Sequence, residues 1–133
     1  MNKVNKIFWK KNSSIIYWKK KPNQILTIKK NRNMFYEDGT TNIAYNCIKK
    51  NILDGNGEKL AIIFVDEENK EKYLSYQQLE NLVNHFISIL YSNFKKKELF
   101  KSVIAIHSSA NLCSVISMLA CMKLGIPHCV IFN

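Results

Sequence analysis

The chain has 133 residues, 47% hydrophobic and 23% charged, with a formal net charge of +10. That length supports one domain with a real core, the apolar share excludes wholesale disorder, and no apolar run of about eighteen residues is present to span a membrane. Arg32 is the single arginine and no Asp or Glu precedes Glu37, so solvated lysines account for the charge better than a phosphate-reading surface, and neither nucleic acid nor membrane is expected as a partner.

Residues 1–30 are basic and carry Trp9, Tyr17 and Trp18, with Ile7, Phe8, Ile15 and Ile16 placed to suit an amphipathic helix. Two readings stand for this segment. An arm lying across a larger body is the better fit; a targeting segment is the alternative, against which count the short apolar core and the use of lysine in place of arginine. Pro22 breaks the arm, residues 25–28 suit a short extended piece, and Asp38-Gly39 marks a turn. A helix is expected from Asn42, its cap, with Tyr45, Ile48 and Ile52 along one face, and Asp54-Gly55-Asn56-Gly57 ends it. The apolar run 60–65 reads as a strand, followed by the charged turn 66–72 and a second strand around Tyr73 and Leu74, together a hairpin with a long loop. Ser75 and Gln78 form a capping box, and Leu79, Val83, Phe86 and Leu90 follow one helical face. Lys95 to Lys97 reads as a solvated connection.

The stretch 102–132 organises the rest. Residues 103–106 are a β-branched apolar run, expected to be a strand buried on both faces. Ser109 is a candidate cap for a helix over 111–124 that is apolar nearly all round. Gly125 sits where a left-handed residue closes a helix, Pro127 prevents continuation, and 128–132 reads as a second buried strand. Strand, helix and strand at this spacing form a right-handed crossover between parallel strands. A parallel sheet continues into further units, so the fold class expected is α/β and incomplete as given.

The four cysteines, Cys47, Cys113, Cys121 and Cys129, lack the paired spacing of a zinc site, and His85, His107 and His128 form no metal-binding pattern. Reduced thiols serving as small core residues are expected. Neighbours on a strand point to opposite faces, which argues against His128 and Cys129 as a base and nucleophile. No catalytic residue and no metal ligand is assigned.

Several blocks resemble acetyl-CoA synthetases. The run Thr40-Thr41-Asn42-Ile43-Ala44-Tyr45-Asn46-Cys47, with Phe35 and Gly39 upstream, is similar to that family's N-terminal Gly-x-x-Asn-x-x-Tyr-Asn signature. Phe8-Trp9, Trp18 and Lys20 or Lys21 before Pro22 look like its Phe-Trp and Trp-x-Lys-Pro arm. Gly57-Glu58-Lys59-Leu60-Ala61 resembles its Gly-Asp-Lys-Val-Ala, and Ser75-Tyr76-Gln77-Gln78-Leu79 its Thr-Tyr-x-x-Leu. Met118-Leu119-Ala120-Cys121, Gly125, His128 and Val130-Ile131-Phe132 resemble a Met-Leu-Ala-Cys-x-x-x-Gly-x-x-His-x-x-x-Phe stretch. The blocks keep their spacing over nearly the whole chain. Departures fall at His107-Ser108-Ser109-Ala110, where the family has Tyr-Met-Pro-Met, at Glu98-Leu99-Phe100-Lys101, where it has Lys-Gly-Asp, and at Asn133, where it continues with glycine.

The resemblance implies an adenylate-forming ligase that joins acetate to CoA through an acetyl-adenylate, with ATP, Mg²⁺ and coenzyme A as its cofactors and co-substrates. It implies an arm over 1–36 and the start of the AMP-binding α/β domain over 37–133, in a cytoplasmic enzyme for which a nuclear pool stays open, as does its oligomeric state. Such chemistry needs a backbone cradle for phosphates, cations and a carboxylate-held Mg²⁺; the chain has four glycines and no Gly-rich phosphate loop. In the family those parts lie further along a longer polypeptide, so this stretch alone is expected to be inactive. Phe132 matches a phenylalanine bordering the CoA nucleotide site, and a core aromatic at a strand end is the plainer reading. Propionyl-CoA synthetases share most of the blocks, and a non-catalytic interaction module derived from the family is the alternative of a different class.

Overall fold

A computed structural model of the chain describes residues 3–30 and 32–131, the side chains from residue 7 onward. The backbone forms two compact units, Met1–Asn42 and Ile43–Asn133.

In the first unit, helix α1 (Lys3–Ser13) precedes an antiparallel hairpin of β1 (Leu26–Lys29) and β2 (Arg32–Phe35), in register Leu26 to Phe35 and Lys29 to Arg32. Strand β1 follows the sequence reading and α1 does so in part, ending at Ser13 so that Ile15 and Ile16 lie beyond it; β2 does not. Its residues are all exposed and show no apolar alternation, so backbone pairing and the stacking of Phe35 on Trp9, 4.9 Å between ring centres, define it. Trp18 packs on Tyr36 at 5.3 Å and donates its indole N–H to the Ser13 carbonyl at 2.8 Å. Tyr36 donates its hydroxyl to the Trp9 carbonyl at 2.7 Å. Gly39 is required where it stands, since a Cβ there would lie 2.8 Å from the Trp18 ring and 3.1 Å from Pro22.

The second unit begins with a helical run over residues 43–56, as expected, but with π-helical turns at Tyr45–Lys49 and Ile52–Asn56. For the first of these Asn51 supplies a physical reason: its side-chain amide donates to the Cys47 carbonyl at 2.9 Å and the Asn46 carbonyl at 3.4 Å, so a side chain intrudes on the backbone ladder. Gly55 breaks the run at φ 83°, a conformation glycine adopts without penalty.

Strands β3 (Leu60–Val65) and β4 (Glu71–Ser75) pair antiparallel. Asp66 closes their loop by accepting from the amides of Glu68 and Lys70 at 3.0 and 2.9 Å. Helix α2 (Tyr76–Asn93) starts on the expected capping box, with Ser75 Oγ accepting from the Gln78 amide and Gln78 Oε1 from the Ser75 amide. Its stripe behaves as the periodicity predicts: Leu79 and Val83 join Ile48, Ile116 and Ala120 in one core cluster, and Leu90 joins Leu99 and Ile126 in a second. The lysine connection is not simply solvated, because Lys96 begins the single turn α3 (Lys96–Leu99) that drives Leu99 into that second cluster.

Strand β5 (Ile104–His107), helix α4 (Leu112–Leu124) and strand β6 (His128–Ile131) form the parallel unit, in register Ile104 to His128 and His107 to Ile131. The cap is Asn111 and not Ser109: Asn111 Oδ1 accepts from the Ser114 amide at 3.0 Å, and Ser114 Oγ stands 3.3 Å from the Asn111 amide. Gly125 takes φ 71° and closes α4, its amide donating to Met122 at 3.2 Å and that of Ile126 to Cys121 at 2.9 Å, a left-handed motif with a buried apolar residue after it. One expectation fails. The sheet is covered on one face only, since Ile106 is buried while Ala105, His107, Cys129 and Ile131 are exposed. No second helical layer lies over it among the described residues.

The architecture is therefore mixed α/β, with three two-stranded sheets among the described residues. No described helix is long and apolar enough to cross a membrane.

Candidate functional site

The single site residue expected from the sequence, Phe132, lies outside the described residues, directly after β6. The described residues that precede it form β5, α4 and β6. The loop from β5 to α4 is the segment where the sequence departs from Tyr-Met-Pro-Met, and it closes on itself. Asn111 Nδ2 donates to Ser108 Oγ at 2.8 Å and Ser109 Oγ at 3.3 Å, while Ser114 Oγ donates to the Asn111 carbonyl at 2.6 Å. The polar groups at the start of α4 are thus engaged locally instead of being aimed at a ligand.

Glu80 is the buried carboxylate of the second unit, 7% exposed. It lies 3.2 Å from Lys49 and 3.4 Å from Lys123, and Lys123 also donates to Asn84 Oδ1 at 2.8 Å. The group ties the run 43–56, α2 and α4 together through charge-assisted contacts. Sequence reasoning passed over it. The available signal was a lone acidic residue beside Leu79, within the width of an apolar stripe, where a charge must find partners.

In the first unit, the clefts are open, and one of them is basic. One of about 310 Å³ runs past Lys10, Trp18, Lys21 and Pro22, and one of about 490 Å³ is lined by Lys29, Lys30, Arg32 and Met34. Both acidic residues of this unit are engaged within it. Lys29 and Thr27 donate to Glu37 at 2.7 and 2.9 Å and hold its carboxyl below the usual range. The Asn23 amide at 2.8 Å, with that of Gln24 at 3.4 Å, does the same for Asp38.

The cysteines are all free, and only Cys121 is a core residue; Cys47, Cys113 and Cys129 are exposed, which corrects the expectation of buried thiols. Burial pushes the Cys121 thiol up, the direction of an inert thiol. His128 lies on the helix-covered side of the sheet and Cys129 on the open side, so the strand does separate the two. Among the described residues no three His, Cys, Asp or Glu side chains gather to hold a metal. With no glycine-rich phosphate loop in the sequence either, the described residues do not fit ATP or Mg²⁺, and no catalytic step is derived through them.

The family model and the curated relatives point the same way. A family model described as the acetyl-coenzyme A synthetase N-terminus matches residues 3–47. An acetyl-coenzyme A synthetase of Bartonella henselae is 33% identical over 129 residues, 94% of this chain and 19% of that protein. That of Streptomyces coelicolor is 31% identical over 95% of this chain, and that of Escherichia coli K12 is 36% identical over 74% of it. Among solved structures, one titled as the crystal structure of CmiS6 superposes with a TM-score of 0.56 at 22% identity, covering 68% of this chain and 21% of that one. That likeness concerns the fold alone. The chain spans about a fifth of the length of the curated relatives it matches.

Proposed function

The chain belongs to the acetyl-coenzyme A synthetase family as a counterpart of its N-terminal part, and from that premise we propose that it supplies the arm and the opening α/β units of an enzyme that makes acetyl-CoA from acetate, ATP and CoA. Residues 1–36 are the arm and 37–133 the start of the AMP-binding domain. Phe132 borders the CoA nucleotide site once the remaining polypeptide is present. That polypeptide brings the phosphate cradle, the Mg²⁺ ligands and the catalytic groups, and the whole works in the cytoplasm. The observation that carries this reading is identity of 33% sustained across 94% of the chain, with the sequence blocks in family order and spacing. Acetate is favoured over propionate by the wording Thr40-Thr41-Asn42-Ile43.

A chimera tests it, with this chain replacing the matching segment of the E. coli relative. Acetyl-CoA formation, faster with acetate than with propionate, is the result expected. A soluble chimera without turnover would overturn the reading and favour the second one, a non-catalytic interaction module, which the self-contained Ser108-Ser109-Asn111 network supports.

A further inference from the structure

The helical run of the second unit ends on Asp54-Gly55-Asn56-Gly57, and Asn56-Gly57 is the one Asn-Gly pair in the chain. That pair carries a chemistry of its own. An asparagine side-chain carbonyl can close a five-membered ring with the nitrogen of the next residue, and glycine, having no Cβ, leaves that nitrogen unshielded. The corner holds the pair loosely. No residue of Ile52–Asn56 is buried, and Gly55 at φ 83° interrupts the helical conformation directly before Asn56. Neighbouring side chains are engaged: Lys50 lies 2.6 Å from Asp54 Oδ2, and Asn51 donates to the Cys47 carbonyl at 2.9 Å. No hydrogen bond restrains the Asn56 side chain among the described residues. A segment with few buried contacts opens at low free energy, and opening is what brings the Gly57 nitrogen within reach of Asn56 Cγ.

From this we infer that Asn56 is a site of spontaneous conversion to isoaspartate, with release of the start of α2 as its consequence. The deprotonated amide nitrogen of Gly57 attacks Asn56 Cγ. The N–Cγ bond forms, the Cγ–Nδ2 bond breaks, and ammonia leaves with the amide proton, closing a succinimide. Water then opens the ring. Addition at Cγ leaves aspartate; addition at the main-chain carbonyl carbon leaves isoaspartate. In the native corner the Asn56 carbonyl accepts the Lys59 amide and the Gly57 carbonyl the Gln77 amide, both at 2.9 Å. Gln77 stands in the first turn of α2, where an N–H has no partner within the helix. In isoaspartate the main-chain carbonyl of residue 56 becomes a free carboxylate and an extra carbon separates its Cα from Gly57, so neither bond keeps its register.

The full chain is incubated in mildly alkaline buffer, folded and in urea. Conversion is located by peptide mass spectrometry, as a gain of about 1 Da, and isoaspartate by methyl transfer from S-adenosylmethionine with an isoaspartyl methyltransferase. In the folded chain Asn56 is expected to convert about tenfold faster than Asn12 or Asn51, whose side-chain amides are hydrogen-bonded. Gly57→Ala should slow it by about tenfold and keep the fold, because Gly57 has φ −52° and an added Cβ would meet only Ile52 Cγ2, at 3.7 Å. The isoaspartyl chain should show a lower urea midpoint, whereas Asn56→Asp, which has the charge without the extra carbon, should keep the parent's. Conversion confined to the urea-unfolded chain, conversion at Asn56 no faster than at Asn12, or a Gly57→Ala variant converting at the parent rate would each overturn the inference. An isoaspartyl chain with the parent's midpoint, or a midpoint lowered equally by Asn56→Asp, would overturn the consequence for α2.

Discussion

At the scale of single residues, Asp38 and Glu37 do more for the first unit than their number suggests. Asp38 holds the backbone just after Pro22, and Glu37 ties β1 to the turn that follows β2. Both carboxyls titrate below their ordinary values of 3.8 and 4.5, through the hydrogen bonds they accept. A carboxylate whose folded value is depressed contributes stability that is present above its unfolded value and lost as pH falls through the folded one. The first unit is therefore expected to loosen in acid, below about pH 4, with a change in tryptophan emission because Trp18 packs beside Gly39 and Pro22. Asp38→Ala should move the neutral-pH emission towards that of the acid form. A flat emission profile through the whole acid titration would show that these contacts do not hold the turn. Neither residue was legible as a clamp from sequence, since their partners are backbone amides and a lysine brought close only by the hairpin.

At the scale of elements, caps decide where helices begin. Ser75→Ala removes the acceptor for the Gln78 amide at the start of α2 and should cost about 1 kcal/mol, read as a lower urea midpoint with an unchanged slope. An unchanged midpoint would mean that β4 alone fixes that start. This capping box was readable because Ser-x-x-Gln precedes an apolar stripe of helical period, and β3 and α4 were readable for similar reasons of pattern. The cap of α4 was misplaced at Ser109, because three polar candidates stand within four residues and only the fold selects Asn111. The strand β2 left no pattern because none of its side chains is buried. The π-helical turn at Tyr45–Lys49 was invisible because it goes with where one asparagine amide points. Burial of the β5–β6 sheet was over-read, since a β-branched run announces a strand fit to be covered but cannot say which layer covers it. The candidate site fared least well: Phe132 came from resemblance alone, while Glu80, the lone acidic residue of α2 and next to Leu79 of its apolar stripe, was open to physical reading and passed over.

At the scale of the whole molecule, charge and core separate. Residues 1–42 hold nine lysines and one arginine against two acidic residues, so +8 of the net +10 belongs to the first unit. The second unit, near balance, carries both core clusters, the Glu80 pairing and the open sheet face. Among the described residues, no three His, Cys, Asp or Glu side chains of either unit gather to hold the metal that adenylate formation needs. On the proposed function, that chemistry belongs to the four-fifths of the relatives' length that this chain does not match. The measurement that tests this most directly is acetate-dependent exchange of labelled pyrophosphate into ATP by the purified 133-residue chain, the E. coli relative serving as the positive control. No exchange above the protein-free background is expected; exchange that depends on acetate and Mg²⁺ would contradict the proposed division of the chemistry.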